Sequence, residues 1–261
     1  MIREKKVFDV RIAIVTGASS GMGREFVRQL PYFYHNLDEI WIIARREEKL
    51  AALAQGSAVP CRIFAGDLCK GEIYQKLEHA LKEETPDIRM LVNAAGFGKV
   101  GEVKKIAHRE PSAQTAMIDL NCRALTRMTL ICLPYLRLGS RVVNLASAAA
   151  FCPQPSFAVY AATKSYVLSF SRALGAELKR TGIYVTAVCP GPVATEFFDV
   201  SGKLPNKWKD AVMAKPDRVV KKALLDVRKK KEISVYGIAM KGAELGAKLM
   251  PHRVIMDLLS N

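Results

Sequence analysis

The sequence predicts an α/β fold in which a parallel sheet is covered by helices on both faces. Three observations carry this. Short β-branched runs alternate along the chain with longer amphipathic ones, the pattern of right-handed βαβ crossovers. A glycine-rich turn, Thr16-Gly17-Ala18-Ser19-Ser20-Gly21-Met22-Gly23, lies directly between the first run and the first amphipathic stretch. Later motifs fall where apolar runs end, and ligands of such sheets bind beyond the carboxyl ends of the strands.

Taken in order, the strand candidates are Arg11–Thr16, Glu39–Arg45, Cys61–Ala65, Met90–Asn93, Arg141–Ser147, Ile183–Cys189 and Glu232–Tyr236. Strands of a parallel sheet are buried on both sides, so continuous apolar runs fit them. The helix candidates are Gly21–Leu30, Arg46–Ala54, Gly71–Glu84, Glu110–Arg137, Phe157–Arg180 and Pro216–Lys229. Pro134 lies inside the fourth and should end or kink it near the preceding residue. No composition break, repeat or low-complexity stretch marks a linker. The 261 residues are therefore read as a single domain, long but ordinary for an open α/β sheet. Its substrate lid and C-terminal segment are expected within residues 192–261.

The chain is basic, with 40 Lys and Arg against 25 Asp and Glu, a formal charge of +15. Residues 201–261 hold 14 basic and 6 acidic side chains, which is +8 of that total. Such a surface favours anionic partners, or is simply solvated. Nucleic acid is not expected, because no recognition motif or stacking aromatic array accompanies the charge. The six cysteines, at 61, 69, 122, 132, 152 and 189, form no Cys-x-x-Cys pair and lie at no zinc spacing with His. They read as small buried apolar residues, and no metal is expected. No apolar run approaches 18 residues, and Ile12–Val15 is too short for a signal-peptide core, so a soluble, cytoplasmic chain is expected.

The spacing G-x-x-x-G-x-G is a variant of the dinucleotide-binding fingerprint. Glycines permit a tight turn and close approach of backbone to a pyrophosphate, and the helix that follows offers free N–H groups to that anion. On this reading Gly17, Ser19, Ser20, Gly21, Met22 and Gly23 hold the cofactor. Where a cofactor's free ribose hydroxyl is bound, the second strand normally ends in a carboxylate. Here it ends Ala44-Arg45-Arg46. Two guanidinium groups suit a 2′-phosphate, so NADP(H) is expected over NAD(H). The plainer alternative makes Arg45 and Arg46 first-turn residues of the next helix, against its dipole. Asp67 follows the third run and either accepts from the adenine amino group or caps the next helix. Asn93-Ala94-Ala95-Gly96 ends the fourth run. Its small residues, Ala94 and Gly96 among them, let backbone pass close to the cofactor, while Asn93 bridges neighbouring strands.

Tyr160-Ala161-Ala162-Thr163-Lys164 places a phenol and an ammonium on one helix face. A cation beside the phenol stabilises phenolate, as general acid–base chemistry near neutral pH requires. Lys164 can also hold ribose hydroxyls. Alone, this spacing is common on helix surfaces. Ser147, 13 residues upstream, can hold a substrate oxygen beside Tyr160, or be a strand-end serine. Asn121 sits mid-helix, where an amide is mildly unfavourable. It can anchor a water linking Lys164 to solvent, or close a local distortion of the helix.

Together, Thr16–Gly23, Asn93–Gly96, Asn121, Ser147, Tyr160, Lys164 and Pro190-Gly191-Pro192-Val193-Ala194-Thr195 resemble the short-chain dehydrogenase/reductases in their compact single-domain branch. The resemblance spans about residues 10–200, with the motifs in the family's order. It implies a Rossmann-type doubly wound sheet of seven strands and a catalytic set of Asn121, Ser147, Tyr160 and Lys164. It also implies that Pro190, Gly191, Val193 and Thr195 contact the nicotinamide. One departure is that Ser20 stands where many NADP-using relatives carry a basic residue, which leaves cofactor choice to Arg45 and Arg46. Residues 201–261 carry none of the family's core motifs.

The loops near Tyr160 and after Gly191 contain Phe97, Phe151, Phe157, Phe197, Phe198 and Trp208. Such a lining favours a bulky apolar substrate, a hydroxysteroid or a similar alcohol or ketone, although about half of these rings are expected to pack under the lid. Two other readings stand beside this one: a reductase of 3-ketoacyl thioesters on a carrier protein or coenzyme A, suited to the basic C-terminal third, and a non-catalytic NADP-sensing protein. Val235–Leu259 mixes apolar and basic residues and reads as an amphipathic lid, an oligomer contact or a membrane-surface helix; Gly237, Gly242, Gly246 and Pro251 speak against one long membrane-binding helix and favour a packed or dimer-forming segment. A homodimer or homotetramer is expected.

Overall fold

The computed structural model describes residues 10–201 and 213–260. Seven strands form one sheet: β1 Arg11–Thr16, β2 Glu39–Ala44, β3 Cys61–Ala65, β4 Asp87–Asn93, β5 Leu136–Leu145, β6 Tyr184–Val188 and β7 Ile233–Ser234. Their order is β3-β2-β1-β4-β5-β6-β7, with every neighbouring pair parallel. The order reverses between β1 and β4, and a crevice opens there beyond the carboxyl ends of the strands.

Alternation along each strand sends side chains to two cores. Ala13, Val15, Ile40, Ile42 and Val92 meet α1 (Gly21–Phe33), α2 (Glu47–Gln55) and α9 (Pro216–Arg228) through Phe26, Leu50 and Leu224. Ile12, Ile14, Trp41, Ile43 and Leu91 meet α3 (Gly71–Glu84), α6 (Leu125–Cys132) and α7 (Ala158–Leu178) through Leu77, Met128 and Leu174. Both faces of the sheet are thus covered, so the middles of the strands are apolar, while Arg11 and Glu39 lie at strand starts and Arg62 lies on the edge strand β3.

The stretch expected as one helix, Glu110–Arg137, is four elements. After α4 (Val103–Arg109), which the sequence reading did not find, come α5 (Pro111–Ile118), a π-helical turn Asp119–Ala124, α6 and a 3₁₀ turn Leu133–Tyr135. Pro134 lacks the N–H that another α turn needs, and the chain enters β5 at Leu136. The π turn has a different cause, the pull on the Asn121 side chain described below. β5 starts five residues before the expected Arg141 and ends at Leu145, so Ser147 lies two residues past the strand as the N-cap of a 3₁₀ turn. A short helix, α8 (Phe197–Ser201), follows β6, and past β7, α10 (Ile238–Leu249) and α11 (His252–Ser260) are separated around Pro251. No residue of α10 is buried, and Ile238, Leu245 and Leu249 on it are 90%, 59% and 74% exposed. No helix among the described residues is long and apolar enough to cross a membrane.

Candidate active site

The glycine-rich turn joins β1 to α1. Gly17 and Gly21 take φ of +68° and +52°, a region that costs other residues strain. A Cβ on Gly17 would meet the Ala95 backbone at 2.8 Å, and one on Gly23 would meet the Gly17 carbonyl oxygen at 2.3 Å. The glycines thus let the turn press against the end of β4 and let α1 start beside it. Thr16 Oγ1 fixes the same junction by accepting from the Ala94 and Ala95 amides at 3.1 and 3.2 Å. No side chain caps the start of α1, and no acidic residue lies in its first turn. Its free N–H groups and positive dipole end face a cavity of about 1540 Å³, lined there by Ser19, Ser20, Gly21 and Met22.

Further residues singled out from sequence line the same cavity: Gly17, Gly23, Arg45, Arg46, Asp67, Ala94, Gly96, Ser147, Tyr160, Lys164, Pro190, Gly191, Val193 and Thr195. Asn93 and Asn121 do not. They lie one layer beneath, 2% and 1% exposed. Asn93 Nδ2 donates to Asn144 Oδ1 at 2.9 Å and Thr129 Oγ1 at 3.1 Å, tying β4 to β5 and α6. Asn121 Nδ2 donates to the Phe97 carbonyl at 2.9 Å and Thr163 Oγ1 at 3.0 Å, while its Oδ1 accepts from the Phe97 amide at 3.0 Å. This grip on the 97 backbone and on α7 draws the helix out of α geometry, which accounts for the π turn at Asp119–Ala124. Asp67 also departs from its expected capping role. Its Oδ1 accepts from the Cys69 amide at 2.9 Å, closing a turn before the helix, and Lys70 is the N-cap of α3.

Tyr160 lies in the first turn of α7, 7% exposed, with its ring stacked on Phe157 at 4.2 Å and tilted against Phe197 at 5.5 Å. Ser147 lines the same cavity as Tyr160, and its Oγ accepts from the Ala149 amide at 3.1 Å. Burial pushes the phenol up to about 12, against a smaller downward pull from Ser147. Lys164 was expected to stabilise phenolate. Instead its Nζ donates to the Leu145 carbonyl at 2.6 Å and lies 5.7 Å from the Tyr160 ring centroid. Lys164 is itself 5% exposed, and burial pushes it down to about 8. In this state the tyrosine is therefore a protonated acid, and the lysine cation is costly to keep.

At the end of β2, Arg45 is exposed and has no hydrogen-bond or ion-pair partner among the described residues. Arg46, the N-cap residue of α2, donates to Ser19 Oγ through Nε and Nη2 at 3.3 and 3.1 Å, and Nη1 meets Glu196 at 2.8 Å. The uncapped helix start and the glycine cradle fit the pyrophosphate of a nicotinamide dinucleotide, and β2 is followed directly by two arginines rather than by a carboxylate. No cluster of three or more metal-binding side chains occurs among the described residues.

The substrate end of the cavity is lined by Phe97, Phe151, Phe157, Phe197 and Phe198, more of the rings than expected, while Trp208 lies outside the described residues. For the opposite wall the sequence reading offered a lid within the C-terminal segment but singled out none of its lining residues. Met240, Ala243, Ala247 and Met250 of the C-terminal segment reach the cavity, and a Cβ on Gly191 would meet Met240 Sδ at 2.5 Å. The run Gly242-Ala243 and Gly246-Ala247, small residues four apart on one helix face, was the available signal. Glu196 was also missed, although a charge directly after Thr195 was legible.

Comparison with known proteins agrees with this geometry. A family model described as short chain dehydrogenase matches residues 11–203. An uncharacterised oxidoreductase of Staphylococcus epidermidis is 31% identical over 187 residues, 71% of this chain and 79% of the relative. Sulfoacetaldehyde reductase of Chromohalobacter salexigens is 34% identical over 188 residues, 70% of this chain and 72% of its own. A very-long-chain 3-oxoacyl-CoA reductase of Anas platyrhynchos is 31% identical over 204 residues, 72% of this chain and 62% of its own. Among solved structures, a short-chain dehydrogenase from Sphingobium yanoikuyae in complex with NADPH superposes with a TM-score of 0.74 at 27% identity, covering 91% of this chain and 95% of that one.

Proposed function

The chain belongs to the short-chain dehydrogenase/reductase family, and from that premise we propose that it is an NADP(H)-dependent oxidoreductase interconverting a carbonyl and a secondary alcohol on a bulky apolar skeleton, of the hydroxysteroid class. The observation that carries this reading is that Ser147, Tyr160 and Lys164 line one cavity with phenylalanines and with Met240 and Met250.

Residues 17–23 would hold the pyrophosphate, Arg45 and Arg46 the 2′-phosphate, and Lys164 the nicotinamide ribose. A bound nicotinamide supplies or accepts the hydride. Ser147 and Tyr160 both donate toward the substrate oxygen and fix its position. In reduction, Tyr160 gives its hydroxyl proton to that oxygen. Its buried, neutral phenol suits this direction. Tyr160 is left as a phenolate on the same helix face as the Lys164 ammonium, which the Leu145 carbonyl holds in place. The phenolate regains its proton from solvent. The rings of Phe157 and Phe197 exclude water from the proton being transferred.

A second reading, reduction of a 3-ketoacyl thioester, is supported by the net basic charge of residues 201–261 and by the name of the Anas relative. Turnover of a panel of bulky ketones, small polar aldehydes and ketoacyl thioesters, each with NADPH and NADH, tests both. Faster reduction of bulky ketones with NADPH supports the first. Salt-sensitive activity confined to thioesters supports the second.

A further inference from the structure

The segment after β6 crosses the mouth of the cofactor crevice. Thr195 packs on the glycine-rich turn so closely that a Cβ on Gly21 would lie 3.3 Å from its own Cβ. The next residue, Glu196, reaches the far bank. Its Oε2 meets Arg46 Nη1 at 2.8 Å and its Oε1 meets Lys49 Nζ at 3.0 Å. All three residues are partly exposed, and Glu196 and Arg46 line the cavity. The carboxylate therefore presents two oxygens to the cations at the start of α2, as a phosphate would. Ser19 accepts from Nε and Nη2 of Arg46, so all three guanidinium nitrogens already have a partner before any nucleotide arrives. Arg45 beside it has no partner among the described residues.

We propose that Glu196 is a specificity-determining residue that occupies the 2′-phosphate position and competes with that phosphate for Arg46 and Lys49. This rests on the NADP(H) reading given above. A dianionic phosphate at Arg46 must displace the carboxylate or sit against it, and both outcomes weaken NADP(H) binding. A cofactor with a free 2′-hydroxyl leaves the Glu196 contacts intact. Glu196 thus narrows the preference that the two arginines create. The side chains of Arg46 and Lys49 keep the carboxylate ionised below the usual range, so the competition operates at neutral pH.

The test is equilibrium binding to the wild type, Glu196→Gln and Arg46→Ala. NADPH and NADH are followed by nucleotide fluorescence, and adenosine 2′,5′-bisphosphate and AMP by calorimetry. Glutamine keeps the shape and removes the charge, and because Glu196 is 40% exposed the fold should melt as before. In Glu196→Gln, NADPH and the bisphosphate should tighten by roughly threefold to tenfold, the scale of exposed ion pairs, while NADH and AMP change less than twofold. Unchanged NADPH binding overturns the proposal. Equal weakening of NADPH and NADH also overturns it, since that marks Glu196 as a clasp over any cofactor. A wild type with no preference for NADPH, unaltered by Arg46→Ala and by Glu196→Gln, sinks the NADP(H) reading together with it. A wild type that prefers NADPH, loses the preference in Arg46→Ala and gains nothing in Glu196→Gln sinks only the assignment of Glu196.

Discussion

Replacing Lys164 by methionine should stabilise the protein while removing its activity. Lys164 is 5% exposed, and among the described residues it has no carboxylate partner; its Nζ donates to the Leu145 carbonyl. Burial lowers its pKa from 10.5 to about 8. At about 1.36 kcal/mol per unit, keeping the cation folded at pH 7 costs roughly 3 kcal/mol. Methionine retains the stem but leaves the Leu145 carbonyl without its donor, a loss of about 1 kcal/mol. The net expectation is a variant about 2 kcal/mol more stable at pH 7, or some 4–8 °C in Tm for a chain of this size. The pH dependence makes the origin specific. Between pH 8 and 10.5 the unfolded lysine holds a proton that the folded one has released, so wild-type stability rises with pH in that window relative to the variant. By about pH 9.5 the advantage of methionine should have vanished. Urea denaturation of both apo proteins at pH 7 and pH 9.5, followed by circular dichroism, measures this. A variant less stable than wild type at pH 7, or an advantage that does not change with pH, refutes the reasoning.

The buried phenol of Tyr160, at about 12, predicts that kcat for reduction stays flat from pH 6 to about 9, while oxidation accelerates about tenfold per unit wherever chemistry limits the rate; a reduction rate falling through pH 7 contradicts this. Replacing Arg45 and Arg46 together by alanine should weaken NADPH by about tenfold or more, since each charge-assisted bond lost is worth about 1.5–3 kcal/mol, with little change for NADH; equal loss for both cofactors means that the arginines do not read the phosphate. For apolar substrates kcat/KM should rise with size, at about 25 cal/mol per Å² buried before ordering costs, and Phe198→Ala or Met240→Ala should flatten the trend; a preference for small polar aldehydes sinks it. Phe157→Ala should instead lower kcat for every substrate, because that ring stacks on Tyr160 itself.

Elements set by local chemistry were legible from sequence. All seven strands overlap the β-branched runs, because the buried stretch of a strand covered on both faces is apolar, but β4 and β5 start three and five residues earlier, where Asp87, Arg89, Arg137 and Ser140 broke the apolar pattern. The turn at Gly17–Gly23 was legible because its contacts admit no Cβ. What escaped depends on residues distant in sequence. The π turn at Asp119–Ala124 is pulled out of α geometry by Phe97 and Thr163, 24 and 42 residues from Asn121. The pKa shifts of Tyr160 and Lys164 are governed by burial, which the i, i+4 spacing does not encode; from that spacing alone, attraction of the ammonium was expected to dominate. Met240 and Met250 were not singled out as lining residues because α10 carries an exposed apolar stripe of its own, which hides the face turned to the cavity. Arg45 and Arg46 were readable as a pair, but not the difference between them, since Glu196 lies 150 residues from Arg46.

The central claim is that Tyr160 supplies the proton for NADPH-dependent reduction of a bulky ketone. Its most direct test compares wild type with Tyr160→Phe, following the loss of the reduced-nicotinamide absorbance with ketones of increasing size and measuring NADPH affinity separately. The account predicts that wild type consumes NADPH with at least one bulky apolar ketone. Tyr160→Phe should lose roughly 100-fold or more in kcat with its NADPH affinity nearly unchanged. A Tyr160→Phe enzyme that keeps a substantial part of wild-type kcat would contradict it.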